Sequence, residues 1–348
     1  SKAFLLPAAL MIAGNSVANA KGKKTDKRPN ILVILADDLG YSDLGCYGSE
    51  IHTPNLDKLA QQGVRFNHFY NASRSCPTRA SLLTGLYQHQ AGIGRMTFDD
   101  NLPGYRGTLS RNAVTIAEVL KESGYTTSMI GKWHVAETPL RKDQREWLAH
   151  HVYHDTYSDL CHYPVNRGFD SHYGTIYGVV DYFDPFSLVE GEVPVKEVPE
   201  GYYITQALSD RAAEEVTEYA KDDKPFFMYL AYTAPHWPLH ALPEDIEKYK
   251  DTYKVGWEAI RNARYERQKQ LGIFPGMDDF LSERQFKDRW EDNVHAEWDA
   301  RAMAVHAAMI DRMDRGIGQV VDALEKTGQL DNTLILFLSD NGCSNENC

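Results

Sequence analysis

Five consecutive apolar residues, Ile31-Leu32-Val33-Ile34-Leu35, run through Ala36 into a pair of aspartates, Asp37 and Asp38. A run that is apolar on both sides must be covered on both faces, and the switch to charge marks where the strand leaves its sheet. The design recurs along the chain. Tyr125 to Ile130 leads into Gly131-Lys132-Trp133-His134, Pro225 to Tyr232 into Thr233-Ala234-Pro235-His236, and Thr333 to Leu338 into Ser339-Asp340-Asn341-Gly342. Val64 to Tyr70 reads as a further strand. Helical patterns separate these runs: Pro54 to Gln62, with Pro54 in the first turn and Gly63 at the end, and Ala113 to Ser123, ended by Gly124. Ile204, Leu208, Ala212, Val216 and Ala220 form one helical stripe, and Met303 to Leu324 carries another. Alternation of this kind predicts an α/β fold with a mostly parallel sheet between helices, its chemistry gathered at the carboxyl ends of the strands. Two stretches break the rhythm, Asp143 to Gly174 and Leu239 to Asn293. Rich in His, Tyr, Trp and charge, they read as insertions around a pocket mouth.

The 348 residues suffice for one large α/β domain or two medium ones. A formal net charge of -12 argues against nucleic acid as partner, because a phosphate-binding surface needs clustered Lys and Arg. Anionic small molecules stay open, since a few cations in a pocket dominate locally. Residues 1–20 stand apart: Lys2, a short apolar run from Ala3 to Ala13, and an Ala18-Asn19-Ala20 cleavage pattern. The run is too short to span a bilayer and reads as a cleaved signal peptide, with 21–28 as a basic linker and a periplasmic or secreted destination. No later segment has the apolar length of a membrane span. Five cysteines, at 46, 76, 161, 343 and 348, match no zinc spacing, and their pairing stays unassigned.

Two adjacent carboxylates at a strand end are costly unless a cation neutralises them. Asp37 and Asp38 with Asp340 and Asn341 form an all-oxygen set suited to calcium or magnesium, and the lack of histidine in it argues against zinc. Ser75-Cys76-Pro77-Thr78-Arg79 reads as a Pro-initiated helix start, an end that attracts anions and would favour a thiolate on Cys76. Lys132, His134 and His236 each follow a buried strand directly, whereas His68, His89 and His306 read as structural.

These motifs resemble the formylglycine-dependent sulfatases, and the likeness covers Pro29 to Asn347. That family's first signature is Cys or Ser, any residue, Pro, a small residue and Arg, followed by Thr-Gly. It matches Ser75-Cys76-Pro77-Thr78-Arg79 with Thr84-Gly85, so the modified position is Ser75 and Cys76 takes the free one. The second signature matches Gly124-Tyr125 through Gly131-Lys132-Trp133-His134. The resemblance implies an alkaline-phosphatase/sulfatase-like fold, with residues 29–348 as its N-terminal catalytic domain. A smaller C-terminal subdomain and a further site lysine would lie beyond Cys348. It implies one calcium, in preference to magnesium, on Asp37, Asp38, Asp340, Asn341 and the modified Ser75.

The same resemblance implies that Ser75 is oxidised to formylglycine (3-oxoalanine) by a radical-type maturation enzyme. The aldehyde hydrate attacks sulfur with Arg79 and Lys132 stabilising charge, and His236 protonates the departing alcohol. His134 then takes a proton from the sulfated intermediate so that sulfate leaves. Two other readings are a phosphodiesterase or phosphonate hydrolase of the same superfamily and a non-catalytic glycan-binding relative. The former would carry more His ligands for two zinc ions, and the latter would have lost Arg79, Lys132 or a metal Asp. The expected substrates are aryl sulfates or sulfated sugars of glycans. Tyr153, Tyr157, His162 and Trp257 could stack on sugar rings or serve packing.

Overall fold

The computed structural model describes residues 28–138, 156–275, 281–282 and 289–344. The expected signal peptide (1–20), nearly all of the linker, Tyr153 and Cys348 lie outside those residues. Seven strands form one sheet: β1 (Asn30–Ala36), β2 (Thr126–Gly131), β3 (Ser171–Thr175), β4 (Leu188–Glu190), β5 (Val193–Pro194), β6 (Phe226–Ala231) and β7 (Thr333–Ser339). Their spatial order is β5-β4-β3-β2-β6-β1-β7. Pairing from β3 to β7 is parallel throughout, and β4 and β5 add an antiparallel edge.

Period-two alternation sends β1 side chains to two separate cores. Leu32 and Ile34, with Met228 and Leu230 of β6, meet three helices: α1 (Pro54–Gln62), α4 (Ile204–Tyr219) and the long α7 (Ala296–Lys326). Val33 and Leu35, with Phe227 and Tyr229, meet α2 (Ser75–Thr84) and α3 (Ile116–Glu122). The expected parallel sheet between helices is therefore present. The stretch 239–293 contributes α5 (Pro243–Glu247) and α6 (Trp257–Gln270).

Three expectations need correction. Residues 64–70 are irregular and exposed, because the apparent alternation of Val64, Phe66 and Tyr70 finds no neighbouring strand to pair with. The helix expected from Ala113 begins at Ile116, where Thr115 makes a capping box: its side chain accepts from Glu118 N, and Glu118 accepts from Thr115 N. Strand β3 begins inside the 143–174 stretch read as an insertion and ends one residue past it, because Ser-His-Tyr-Gly-Thr carries no apolar run.

The strands end in register. Gly131 pairs with Ala231, Leu35 with Ala231, and Ala36 with Ser339. Gly131 has φ +108°, and a Cβ there would stand 1.8 Å from the Ala231 carbonyl oxygen. Only glycine allows β2 to turn out of the sheet at this point.

Candidate active site

Register alone brings the motif residues together. β2, β6, β1 and β7 are consecutive in the sheet, so Lys132, His236, Asp37, Asp38, Asp340 and Asn341 all leave it from one edge. Helix α2 lies against one face there, with Ser75 in its first turn and Arg79 one turn on.

Arg79 is the hub. It is fully buried and donates from Nε and Nη2 to Asp340 Oδ2 at 3.0 and 2.8 Å. Nη1 donates to the Lys132 carbonyl at 2.8 Å, and Nε also reaches Ser75 Oγ at 3.0 Å. Lys132, equally buried, places Nζ 2.5 Å from Asp37 Oδ2. Asn341 Nδ2 donates to Asp38 Oδ1, and Asp340 Oδ1 accepts from Asp38 N at 3.3 Å.

This set fits a bound cation. Asp37 Oδ1 and Asn341 Oδ1 are buried without a hydrogen-bond partner, an arrangement that costs free energy unless an ion fills it. Burial pushes the Asp37 carboxyl well above its ordinary range, and Asp340 and Asp38 add to the shift against the pull of Lys132. Three buried carboxylates outnumber the two buried cations by one. A divalent ion would leave one positive charge, which suits an anionic ester. One expectation changes: histidine is not absent from this set. His236 Nε2 lies 3.6 Å from Asp38 Oδ2, and Asp37, Asp38 and His236 could together hold a metal.

The histidines differ in their surroundings. His134 Nδ1 stands 3.2 Å from Ser75 Oγ, while Nε2 stands 3.2 Å from Cys76 Sγ. Burial and the charges of Lys132 and Arg79 push the His134 pKa well down, so the ring is neutral and able to accept a proton. The Nδ1 of His236 donates to the Trp237 carbonyl at 2.5 Å, which turns Nε2 toward Asp38. Burial, then Lys132, lowers the His236 pKa to about 3. Carrying a proton on Nε2 therefore requires added negative charge beside it, such as that of an anionic substrate.

Cys76 faces the core. It is fully buried, and burial pushes its thiol up to about 12. That is the reverse of an activated thiolate, and Ser75 is the group that faces the carboxylates. Of the remaining expectations, Trp133 and Tyr157 are buried, and Trp257 packs edge-on against Trp290. Cys46, Cys76, Cys161 and Cys343 are all free.

Sequence reading missed Tyr182. Its hydroxyl, fully buried, lies 2.7 Å from the Thr233 carbonyl and 2.8 Å from the His236 carbonyl. It clamps the loop that carries His236. No motif announces a tyrosine whose partners are backbone carbonyls.

Known proteins resemble this chain. The sulfatase family profile matches residues 29–347. An uncharacterised sulfatase of Schizosaccharomyces pombe is 35% identical over 91% of this chain and 58% of its own length. An arylsulfatase of Klebsiella aerogenes is 34% identical over 99% of this chain and 71% of its own. Among solved structures, Ps i-CgsB in complex with k-i-k-neocarrahexaose is 33% identical with a TM-score of 0.62, covering 90% of this chain and 59% of that one. The chain thus spans between about half and three-quarters of these relatives.

Proposed function

Because this chain belongs to the sulfatase family, we propose that it hydrolyses sulfate esters with the oxygen at position 75 as nucleophile, after oxidation of Ser75 to formylglycine. The observation that carries this reading is the placement of Ser75 Oγ, 3.0 Å from Arg79 Nε and 3.2 Å from His134 Nδ1, beside a carboxylate set with unfilled oxygens. A calcium ion on Asp37, Asp38, Asp340 and Asn341 would supply positive charge that favours an ionised oxygen at position 75 and polarises the ester.

The chain's own groups do the rest. Arg79, pinned by Asp340 and the Lys132 carbonyl, holds the position-75 oxygen and offsets its charge without reorganising. Lys132, fixed on Asp37, presents a second positive charge to the sulfate oxygens. Neutral His134 is placed to take a proton from position 75. His236, whose Nε2 faces the carboxylates, is placed to give one to the departing alcohol once a sulfate beside it has raised its proton affinity.

Sulfated carbohydrates are the proposed substrates, supported by the sugar-bound relative. Export with removal of residues 1–20, and a radical-type maturation enzyme acting on Ser75, complete the proposal. Mass spectrometry of the peptide containing Ser75, from protein made in its native host, tests it directly. A serine of unaltered mass sinks the formylglycine mechanism. A panel of sulfated monosaccharides and aryl sulfates tests the substrate class: hydrolysis of the aryl esters alone removes the carbohydrate reading.

A further inference from the structure

A second group of metal-ligating side chains lies outside the site described above. Asp43 sits in the loop after β1, His306 on α7, and Cys343 in the loop after β7. One ligand atom from each, a carboxylate oxygen, an imidazole nitrogen and Sγ, lies within 4.8 Å of the other two. The three come from elements far apart in sequence, so the meeting is a product of the fold.

Several observations mark it as more than proximity. The Nδ1 of His306 is buried with no hydrogen-bond partner, on a residue that is itself half-buried. A buried ring nitrogen without a partner is costly unless something binds there. Gly40 keeps the approach open: a Cβ there would stand 2.5 Å from Asp43 Oδ2 and 3.3 Å from the Cys343 Cβ. Charge also permits a cation. Asp43 accepts from Arg264 Nη1 at 2.6 Å and from Gly40 N at 2.9 Å. Arg264 is held on its other side by both oxygens of Glu50, at 2.8 and 2.7 Å. Two carboxylates against one guanidinium leave one unit of negative charge.

We propose that Asp43, His306 and Cys343 form a site for a borderline-soft divalent cation of the zinc type, separate from the carboxylate set that faces Ser75. One sulfur, one nitrogen and one oxygen donor suit zinc and disfavour calcium, which takes oxygen ligands. Bound zinc would draw the three ligand atoms to about 3–4 Å from one another, given bond lengths of about 2.0–2.3 Å. On binding, the Cys343 S–H bond breaks, the sulfur lone pair goes to the metal, and the proton leaves to solvent. Three protein ligands leave the fourth position to water. An ion there would tie the loop carrying Asp340 and Asn341 to α7, whether or not the chain hydrolyses sulfate esters.

Zinc and cobalt binding to the whole chain, measured with calcium in excess, decide the matter. Wild type is expected to retain one zinc equivalent that Cys343→Ser loses, with affinity falling about 100-fold or more. Cobalt is expected to give a thiolate-to-metal charge-transfer absorption in wild type that both Cys343→Ser and His306→Gln lack. Cys343 lies on an exposed loop, so an unchanged metal-free melting temperature of Cys343→Ser will show that the variant folds. Equal zinc stoichiometry in wild type and Cys343→Ser, or a cobalt spectrum without the thiolate band, overturns the proposal.

Discussion

Arg79 gives two N–H donors to a single oxygen of Asp340, at 3.0 and 2.8 Å, with both side chains wholly shut off from solvent. The pair joins the first turns of α2 to the end of β7, and it serves the fold as much as the site. Arg79→Ala is expected to lower stability by about 3–5 kcal/mol, since an uncompensated carboxylate stays buried. Arg79→Lys should fold better yet lose hydrolysis, because an ammonium cannot serve Asp340, the Lys132 carbonyl and position 75 together. Urea denaturation and aryl sulfate turnover read the two effects separately. Full activity in Arg79→Lys would show that the fork geometry is dispensable.

Ser75 and Cys76 are adjacent and both within reach of His134, yet their expected behaviour is opposite. Ser75→Ala should abolish hydrolysis with a stability change of only about 1 kcal/mol. Cys76→Ala should keep the rate within about tenfold, because one weak sulfur contact to His134 is lost. Fully buried and with its thiol raised to about 12, Cys76 should resist alkylation at pH 8 in the native protein. Peptide mapping after labelling checks this. Comparable activity loss in the two alanine variants would move the chemistry off Ser75.

Tyr182 touches no reacting group, and it acts through the backbone of the His236 loop. Tyr182→Phe removes the hydroxyl shared between the Thr233 and His236 carbonyls. The expected result is a fall in kcat of about 3–10-fold with KM little changed, from about 1 kcal/mol of lost positioning. A change confined to KM would assign Tyr182 to substrate binding instead.

Glu50 makes pH a probe of α6. Burial tends to raise its carboxyl pKa, but hydrogen bonds and charge from Arg264 win, and the Tyr253 hydroxyl helps, so the net shift is downward from 4.5. A depressed folded pKa contributes stability that is complete above pH 4.5 and fades as pH falls through the lower folded value. In Arg264→Met only burial would remain dominant, and the sign inverts: Glu50 would then favour the fold at acid pH and oppose it as pH rises. Denaturation midpoints measured between about pH 3 and pH 6 should rise less steeply with pH in Arg264→Met than in wild type. Parallel slopes would mean that Arg264 does not control Glu50.

Much of the site was legible because its residues follow buried strands directly. An apolar run ending in Asp37 or Asp340 announces both its own burial and the point where charge appears, and parallel register then forces the two loops together. The resemblance of Ser75-Cys76-Pro77-Thr78-Arg79 to the family signature carried the choice of Ser75 over Cys76, which local chemistry alone would have reversed. Other contacts left no trace in the sequence. Tyr182 binds backbone carbonyls, which any sequence offers. His236 approaches Asp38 only because of how its loop folds back. His306 looked structural because a helical stripe explains its position, and only the fold brings Cys343 and Asp43 beside it. Residues 64–70 misled in the other direction, since alternation without a pairing partner makes no strand.

Strand β7 occupies an outer place in the sheet, where among the described residues it pairs with β1 alone. Asp340 meets Arg79 across 261 residues of chain and Asp38 across 302. A nascent polypeptide can therefore assemble the older strands and their helices while Arg79 still lacks its strongest anion. Contacts of such long sequence separation form late. The Arg79–Asp340 pair is thus a report on the docking of β7, and a ribosome-bound or clipped chain lacking that strand would hold Arg79 without this anion and the carboxylate set without Asp340 and Asn341.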